Sequence, residues 1–256
     1  MHLIVGGDSD IGMAIADNWN NNNIPFHAST RRISLISGER PYIDLSDVNT
    51  IININFAYDV AIITAGVTSI DKCERNPEET RNINVVNTSL LINKLHSQGA
   101  YVMFLSSNQV FDGRTNLQKV NDEKSPITQY GGQKSEMEDL VSKLEGYSIL
   151  RLTKVIHPEF SLFKEWDSKL MKNIEIKAFT DMVFCPVDID TVISKIDGLL
   201  TNKVNGIYHC SGDVDITYYK YAENLGLSVQ LDCKEECLNN IDIFTPPRFT
   251  CLCEHN

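Results

Sequence analysis

The chain has 256 residues, of which 42% are hydrophobic and 22% charged, and a formal net charge of −11. That length buries one large core, or a nucleotide domain with a small appendage, and the composition is that of an ordinary globular protein. The acidic balance argues against a nucleic-acid or anionic-membrane binder, since both need a basic face, but it leaves room for a small anionic ligand.

Short apolar runs alternate with longer helical patterns, the mark of a parallel sheet with crossover helices. Residues 3–5 read as a first strand and 11–20 as a helix that ends in the poor helix-forming run of asparagines at 20–23. Residues 25–28 read as a second strand, 42–43 as a short third and 60–63 as a fourth. A long helix is expected over 77–95, a fifth strand over 101–105, a helix over 128–144 and a sixth strand over 147–152. Beyond about residue 153 the pattern weakens. Helices are expected at 160–171, 187–200 and 216–225, the second with Asp188 and Asp190 in its first turn, and strands at 173–178 and 206–210. The expected fold is therefore α/β, a Rossmann-type doubly wound parallel sheet. A nucleotide-binding core spans 1–153 and a small mixed substrate lobe spans 154–256, with the chain crossing back between them.

No apolar run approaches the ~20 residues that span a bilayer, and the start, Met1-His2-Leu3-Ile4-Val5-Gly6, has no basic leader region. A cytoplasmic protein with neither membrane nor nucleic-acid partner is expected. The 7 cysteines then read as free thiols. Cys233, Cys237, Cys251 and Cys253 lack the paired Cys-x2-Cys spacing of a metal site, so no metal is expected.

Gly6-Gly7-Asp8-Ser9-Asp10-Ile11-Gly12 follows a strand and opens a helix. Gly6 permits the tight turn, Gly12 lets the helix pack close, and the free N–H groups at the helix start attract a pyrophosphate. Ser9, Asp10 and Ile11 complete this loop. Arg31 and Arg32 end the second strand, where an acid would bind the ribose 2′-hydroxyl of NAD. Two guanidiniums instead suit a 2′-phosphate, favouring NADP with NAD possible. Asp44 and Leu45 suit the adenine, although Ser46 or Asp47 can also cap a helix there. Thr64, Ala65 and Gly66 are small enough for a ribose to lie close to the strand end.

Tyr130-Gly131-Gly132-Gln133-Lys134 places a phenol and an ammonium on one helical face. A nearby ammonium favours phenolate and lowers the tyrosine pKa, so Tyr130 can exchange a proton with a carbonyl oxygen. Ser106-Ser107 at the end of the fifth strand offers a hydroxyl to the same oxygen. Glu138, one turn past Lys134, reads as exposed or paired with that lysine. His96, His157 and His209 read as structural, and Trp166 with Tyr218, Tyr219 and Tyr221 as packing residues.

These residues in this order resemble the extended short-chain dehydrogenase/reductase superfamily, and within it the dTDP-4-dehydrorhamnose reductase-like group. The resemblance rests on the glycine turn, Asp71-Lys72-Cys73-Glu74-x-x-Pro77, Asn84, Ser106 through Gly113, and Pro126-x-x-x-Tyr130-Gly131-x-x-Lys134, with weaker echoes at Arg151-Leu152, Asp181, Pro186-Val187-Asp188 and Pro247-Arg248. It implies a Rossmann core with NAD(P) and a nucleotide-sugar substrate. Catalysis would fall to Ser107, Tyr130 and Lys134, with Lys134 on the cofactor ribose and Asn84 in support. Ser107, Asn108 and Arg248 would meet the substrate, and a homodimer is common in the superfamily. The chain departs from the group at Ser9, in place of a glycine, and at Asn108-Gln109, in place of Asp-Tyr. NADP-dependent reduction of a keto-sugar leads the readings. A non-catalytic NADP-binding regulatory subunit and a nucleotide-sugar epimerase are the alternatives.

Overall fold

A computed structural model describes residues 1–157, 160–172, 174–227, 234–236 and 246–254. In chain order the core opens with β1 (His2–Val5), α1 (Asp10–Asn21), β2 (Phe26–Ala28), α2 (Val48–Ile52) and β3 (Val60–Ile63). It continues through α3 (Ile70–Arg75), α4 (Pro77–Arg81), α5 (Thr88–Ser97), β4 (Tyr101–Ser107), α6 (Gln129–Val141) and β5 (Tyr147–Leu152). Then follow β6 (Lys154–Ile156), α7 (Ser161–Met171), β7 (Lys177–Phe179), β8 (Val183–Phe184), β9 (Pro186–Asp188) and α8 (Ile189–Asn202). The last elements are β10 (Gly206–Cys210), β11 (Ile216–Thr217), α9 (Tyr218–Leu227) and β12 (Lys234–Glu236).

Six parallel strands form the main sheet in the order β10-β5-β4-β3-β1-β2. Alternation along the strands divides the core between two faces. Leu3, Val5, Ala61, Ile63, Val102 and Phe104 pack against Leu91, Leu95 and Met137 of α5 and α6. Ile4, Ile62, Met103 and Leu105 pack against Ile15 and Trp19 of α1 and Val192 and Ile196 of α8. The sheet is thus doubly wound, and β10 and α8 bring the later chain back onto it. A separate cluster of Trp166, Leu170, Ile176, Ala178, Phe184 and Ala222 holds α7, α9, β7 and β8 together.

Several expectations need correction. The third strand is only a bridge between Thr30 and Tyr42. Thr30 N donates to Pro41 O and Ile43 N to Thr30 O, and the chain after Thr30 coils into a short 3-10 turn, Ile33–Leu35, instead of extending the pairing. The helix expected over 77–95 is α4 and α5 joined by a π-helical stretch, Asn82–Asn87. Asp188 is the N-cap of α8 and accepts from Asp190 N, so only Asp190 lies in the first turn. The strand expected over 173–178 begins at Lys177 and pairs with β12; residue 173 lies outside the described residues. Ile216 and Thr217 pair with β8 before α9 starts. The cysteines are not all free. Cys185 and Cys251, 66 residues apart, form a disulfide with their Cα atoms 5.2 Å apart, within the usual range for such a bond. Sequence spacing does not reveal that approach. Cys73, Cys210 and Cys253 are not disulfide-bonded, and Cys233 and Cys237 lie outside the described residues.

Candidate active site

The glycine turn sits at the carboxyl edge of the sheet between β1 and α1. A Cβ on Gly12 would lie 2.3 Å from the Gly6 carbonyl oxygen, and Gly6 itself has φ +95°, so neither position tolerates a side chain. Ser9 is the N-cap of α1. Its hydroxyl donates to Gly6 O at 2.7 Å, accepts from Gly12 N at 3.1 Å and lies 3.0 Å from Thr64 Oγ1. The serine in place of a glycine is therefore occupied within the turn. Thr64 completes that arrangement by donating to Val5 O and Gly6 O; it braces the turn and does not line the groove beyond it.

From the turn a groove of about 550 Å³ runs between Gly6, Ser9, Arg31, Arg32, Asp44, Leu45, Ala65 and Gly66. Arg32 is largely exposed there, and its Nε lies 3.9 Å from Asp8. Asp8 also accepts from Thr30 Oγ1 at 2.6 Å and is ion-paired with Arg40. Asp44 accepts from the backbone and hydroxyl of Ser46, and Asp47 caps α2, so the turn and the groove share this segment. The turn that a side chain would fill, the helix N-terminus and the adjacent guanidiniums all fit a dinucleotide carrying a 2′-phosphate.

The π-helical stretch places its buried asparagines against this groove. Asn84 accepts from Val67 N at 2.7 Å and donates to Val67 O at 2.9 Å and to Gln133 Oε1 at 2.7 Å. Asn87 donates to Leu45 O at 2.7 Å. Val67 and Leu45 both line the groove. Asn84 thus acts through a loop, without lining a cavity itself. The sequence offered no sign of Asn87, because the extra residue per turn that aims it inward is invisible in a helical pattern.

A second cavity, about 410 Å³, begins where the groove ends. Ser9, Asp10 and Ile11 open into it from the head of α1, and Ser107, Tyr130 and Lys134 line its floor. Thr128 caps α6 by accepting from Gly131 N. A Cβ on Gly131 would lie 2.1 Å from Gln109 O, so α6 lies hard against the loop that follows Ser107. That contact sets the phenol beside the serine.

The electrostatics differ from the expectation in one respect. Tyr130 is only 9% exposed, and burial raises its pKa, with Cys73 adding to the rise and Ser107 opposing it. The ammonium of Lys134 does not offset this burial. Its Nζ donates to Leu105 O at 2.7 Å and sits 5.8 Å from the centre of the Tyr130 ring. Burial lowers the Lys134 pKa to about 8, while Glu138 opposes the fall. The protein alone therefore keeps Tyr130 protonated.

Glu138 is buried rather than exposed. It forms an ion pair with the equally buried Arg151 at 2.8 Å and accepts from Ser106 Oγ at 2.6 Å. Arg151 also donates to Val120 O and His209 Nε2. His209 Nδ1 donates in turn to Cys253 O at 2.8 Å. Burial holds the His209 pKa down at about 4, so this histidine is neutral and structural.

Asn108 lines the cleft next to Ser107. Arg248 does not: it is exposed, with its guanidinium 5.3 Å from the Phe249 ring centre. Its neighbours Pro247 and Thr250 face the cleft instead. Lys154, Phe160 and Tyr218 also line it and were not anticipated. Tyr218, read as a packing residue, serves both the small cluster and the cleft wall.

Residues 1–246 match the family described as the RmlD substrate binding domain. A dTDP-4-dehydrorhamnose reductase from Sinorhizobium fredii is 24% identical over 206 residues, covering 75% of this chain and 69% of that protein. The methionine adenosyltransferase 2 subunit beta of Bos taurus is 24% identical over 234 residues, covering 86% of this chain and 69% of that protein. The crystal structure of a dTDP-4-dehydrorhamnose reductase from Bacillus anthracis in complex with NADP superimposes with a TM-score of 0.86 at 17% identity, covering 100% of this chain and 90% of that one. At that identity the likeness is one of fold.

Proposed function

The chain belongs to the RmlD substrate binding domain family, and from that membership we propose that it is an NADPH-dependent reductase of a keto group on a nucleotide-linked sugar, acting in the biosynthesis of surface polysaccharides. One observation carries the reading. Ser107, Tyr130 and Lys134 share a cleft of about 410 Å³ with the head of α1, next to a groove of the kind a dinucleotide needs.

Gly6, Ser9, Ala65 and Gly66 would hold the dinucleotide's middle, Arg31 and Arg32 its 2′-phosphate, and Lys134 its nicotinamide ribose. When bound, NADPH supplies the hydride. Ser107, whose hydroxyl proton otherwise rests on Asn108 Oδ1 at 3.2 Å, would turn it to the substrate oxygen and orient the carbonyl. Tyr130, held protonated by burial, gives its proton to that oxygen as negative charge develops there. Lys154 is the cation on the cleft wall suited to a diphosphate, and Tyr218 and Phe160 supply apolar surface for the sugar.

Purified protein should oxidise NADPH in the presence of a nucleoside-diphosphate 4-keto-sugar, and the Tyr130→Phe variant should lose at least about 100-fold in rate. Wild-type turnover by that variant would refute the mechanism. A second reading, an NADP-binding regulatory subunit, is favoured by the likeness to the methionine adenosyltransferase subunit, which extends over more of this chain than the reductase match does. NADP binding without turnover of any keto-sugar would select it. The proposed setting is the cytoplasm and the proposed assembly a homodimer, which sedimentation would test. Among the described residues no helix is long and apolar enough to cross a membrane.

A further inference from the structure

The segment 246–254 returns to the main sheet as a strap over the cleft. Phe249 N donates to Gly113 O and Cys253 N to Gln118 O, while Leu252 N donates to Ser211 Oγ at 3.0 Å. At its centre Thr250 is held by Asp215, which accepts from both its backbone N–H and its hydroxyl. The Thr250 carbonyl in turn accepts from Asn108 Nδ2 at 3.0 Å, and Asn108 Oδ1 accepts from Ser107 Oγ at 3.2 Å. Asp215, Thr250 and Asn108 therefore form a relay that ends on the hydroxyl placed in the site. An aspartate at 108 could not run it, because a carboxylate has no donor for the Thr250 carbonyl.

The residue after Thr250 is Cys251, bonded to Cys185. Phe184, just before Cys185, lines the cleft, as Thr250 does from the strap. The disulfide thus ties β8 to the strap one residue away from each lining side chain. We propose that this strap positions Ser107 through Asn108, and that the redox state of the Cys185–Cys251 bond sets how firmly it does so; the catalytic consequence rests on the reading of Ser107 given above. Reduction needs a dithiol. Its thiolate attacks one sulfur, the S–S bond breaks, and its second thiol displaces the mixed disulfide. The reductant leaves as its own disulfide, having given up two electrons, and each cysteine gains one electron and one proton. Both sulfurs are buried, so the strap must open first and the step is slow. In a reducing compartment, disulfides that do form are commonly regulatory.

The test uses the full chain, with and without dithiothreitol. Alkylation and mass spectrometry read the bond, and hydrogen exchange reads the strap and residues 107–111. NADPH oxidation is followed in parallel. The expected result is that Cys185 and Cys251 resist alkylation until reduced. Exchange in both segments should then rise together, and kcat should fall by roughly 10-fold to 100-fold. The KM for NADPH should hold, because the strap does not reach the cofactor groove, and reoxidation should reverse the change. Asn108→Asp should behave as the reduced protein does and become indifferent to dithiothreitol. Alkylation of both cysteines without reductant would overturn the proposal, as would reduction that leaves exchange at 107–111 unchanged. So would release of the strap by a chelator instead of a dithiol, since Cys185, Cys251 and Asp215 lie close enough to hold a metal ion. Because exchange needs no sugar, failure of the strap and failure of the reductase reading give different results.

Discussion

Replacing Glu138 by glutamine tests the buried ion pair between α6 and β5. Glu138 and Arg151 are 1% and 2% exposed, so water does little to screen either charge. Glutamine keeps the shape and can still accept from Ser106, but it leaves the guanidinium without a counter-charge. Breaking a buried pair on one side costs about 3–5 kcal/mol. Arg151 retains Val120 O and His209 as partners, and Lys124, 3.7 Å from Glu138, keeps Asp139 as its closer counter-charge at 2.6 Å. Only Arg151 loses its counter-charge, so a loss within that range is expected. Equilibrium urea unfolding of Glu138→Gln, Arg151→Met and the double variant would measure it. The double variant should recover a coupling energy of at least about 2 kcal/mol, because removing both charges removes the uncompensated one. A single-variant loss under about 1 kcal/mol, or a coupling near zero, would show that the pair is solvated in the protein and that the packing described here is wrong.

Four further outcomes follow from the same geometry. Gly131→Ala should push α6 off the Gln109 carbonyl and lower kcat by about 100-fold; unchanged kcat would mean the loop moves freely. His209 is held neutral with a pKa of about 4 against an ordinary 6.5. Between those values the unfolded chain binds a proton that the folded chain refuses, so stability should fall by up to about 3 kcal/mol as pH drops from 6.5 to 4. His209→Gln should flatten that slope in urea titrations at stepped pH. Arg31→Ala with Arg32→Ala should reduce the preference for NADPH over NADH by at least about 10-fold, through the KM for NADPH; an unchanged ratio would locate the 2′-phosphate elsewhere, with Arg40 the next residue to test. Reduction by Tyr130 should hold its rate through neutral pH and show no acid limb assignable to the phenol, because burial raises the pKa; a rate that climbs with phenolate formation would contradict a proton donor.

Much of the core was legible because its signals are local. A strand such as Val60–Ile63 is a short apolar run, and a helix such as Gln129–Val141 starts at a threonine cap. The glycine turn could be read because backbone approach there forbids any side chain. What stayed hidden depends on residues far apart. The Thr30 to Tyr42 bridge and the Cys185–Cys251 bond exist only once the chain has folded back. The π-helical stretch shifts the phase that a helical pattern assumes, which is why Asn87 was missed; Asn84, expected in support of the site, bonds to the Val67 backbone. Glu138 was read as exposed or paired with Lys134, because its actual partner, Arg151, sits on β5, which no i to i+4 rule would find. Arg248 was placed in the site by its neighbours' motif, whereas the backbone turns Pro247 and Thr250 inward and leaves it outside.

The two titratable members of the site bear on the direction of its chemistry. Burial pushes the Tyr130 phenol up and the Lys134 ammonium down to about 8, so at neutral pH the protein holds the phenol uncharged while the lysine keeps most of its charge. A phenol in that state is a proton donor first and a base only after another charge arrives. Reduction of a carbonyl asks for such a donor, and the alkoxide that forms is the charge that draws the proton off. Oxidation of the alcohol asks for phenolate before any chemistry begins, which this cavity resists unless the positive ring of the oxidised cofactor lies against it. The protein's own contribution therefore tilts the site toward giving a proton to a carbonyl. That tilt comes from packing around Tyr130, notably the close approach of α6 to the Gln109 loop, and not from the lysine four residues on, which gives one of its three N–H donors to the Leu105 carbonyl and sits 5.8 Å from the centre of the Tyr130 ring.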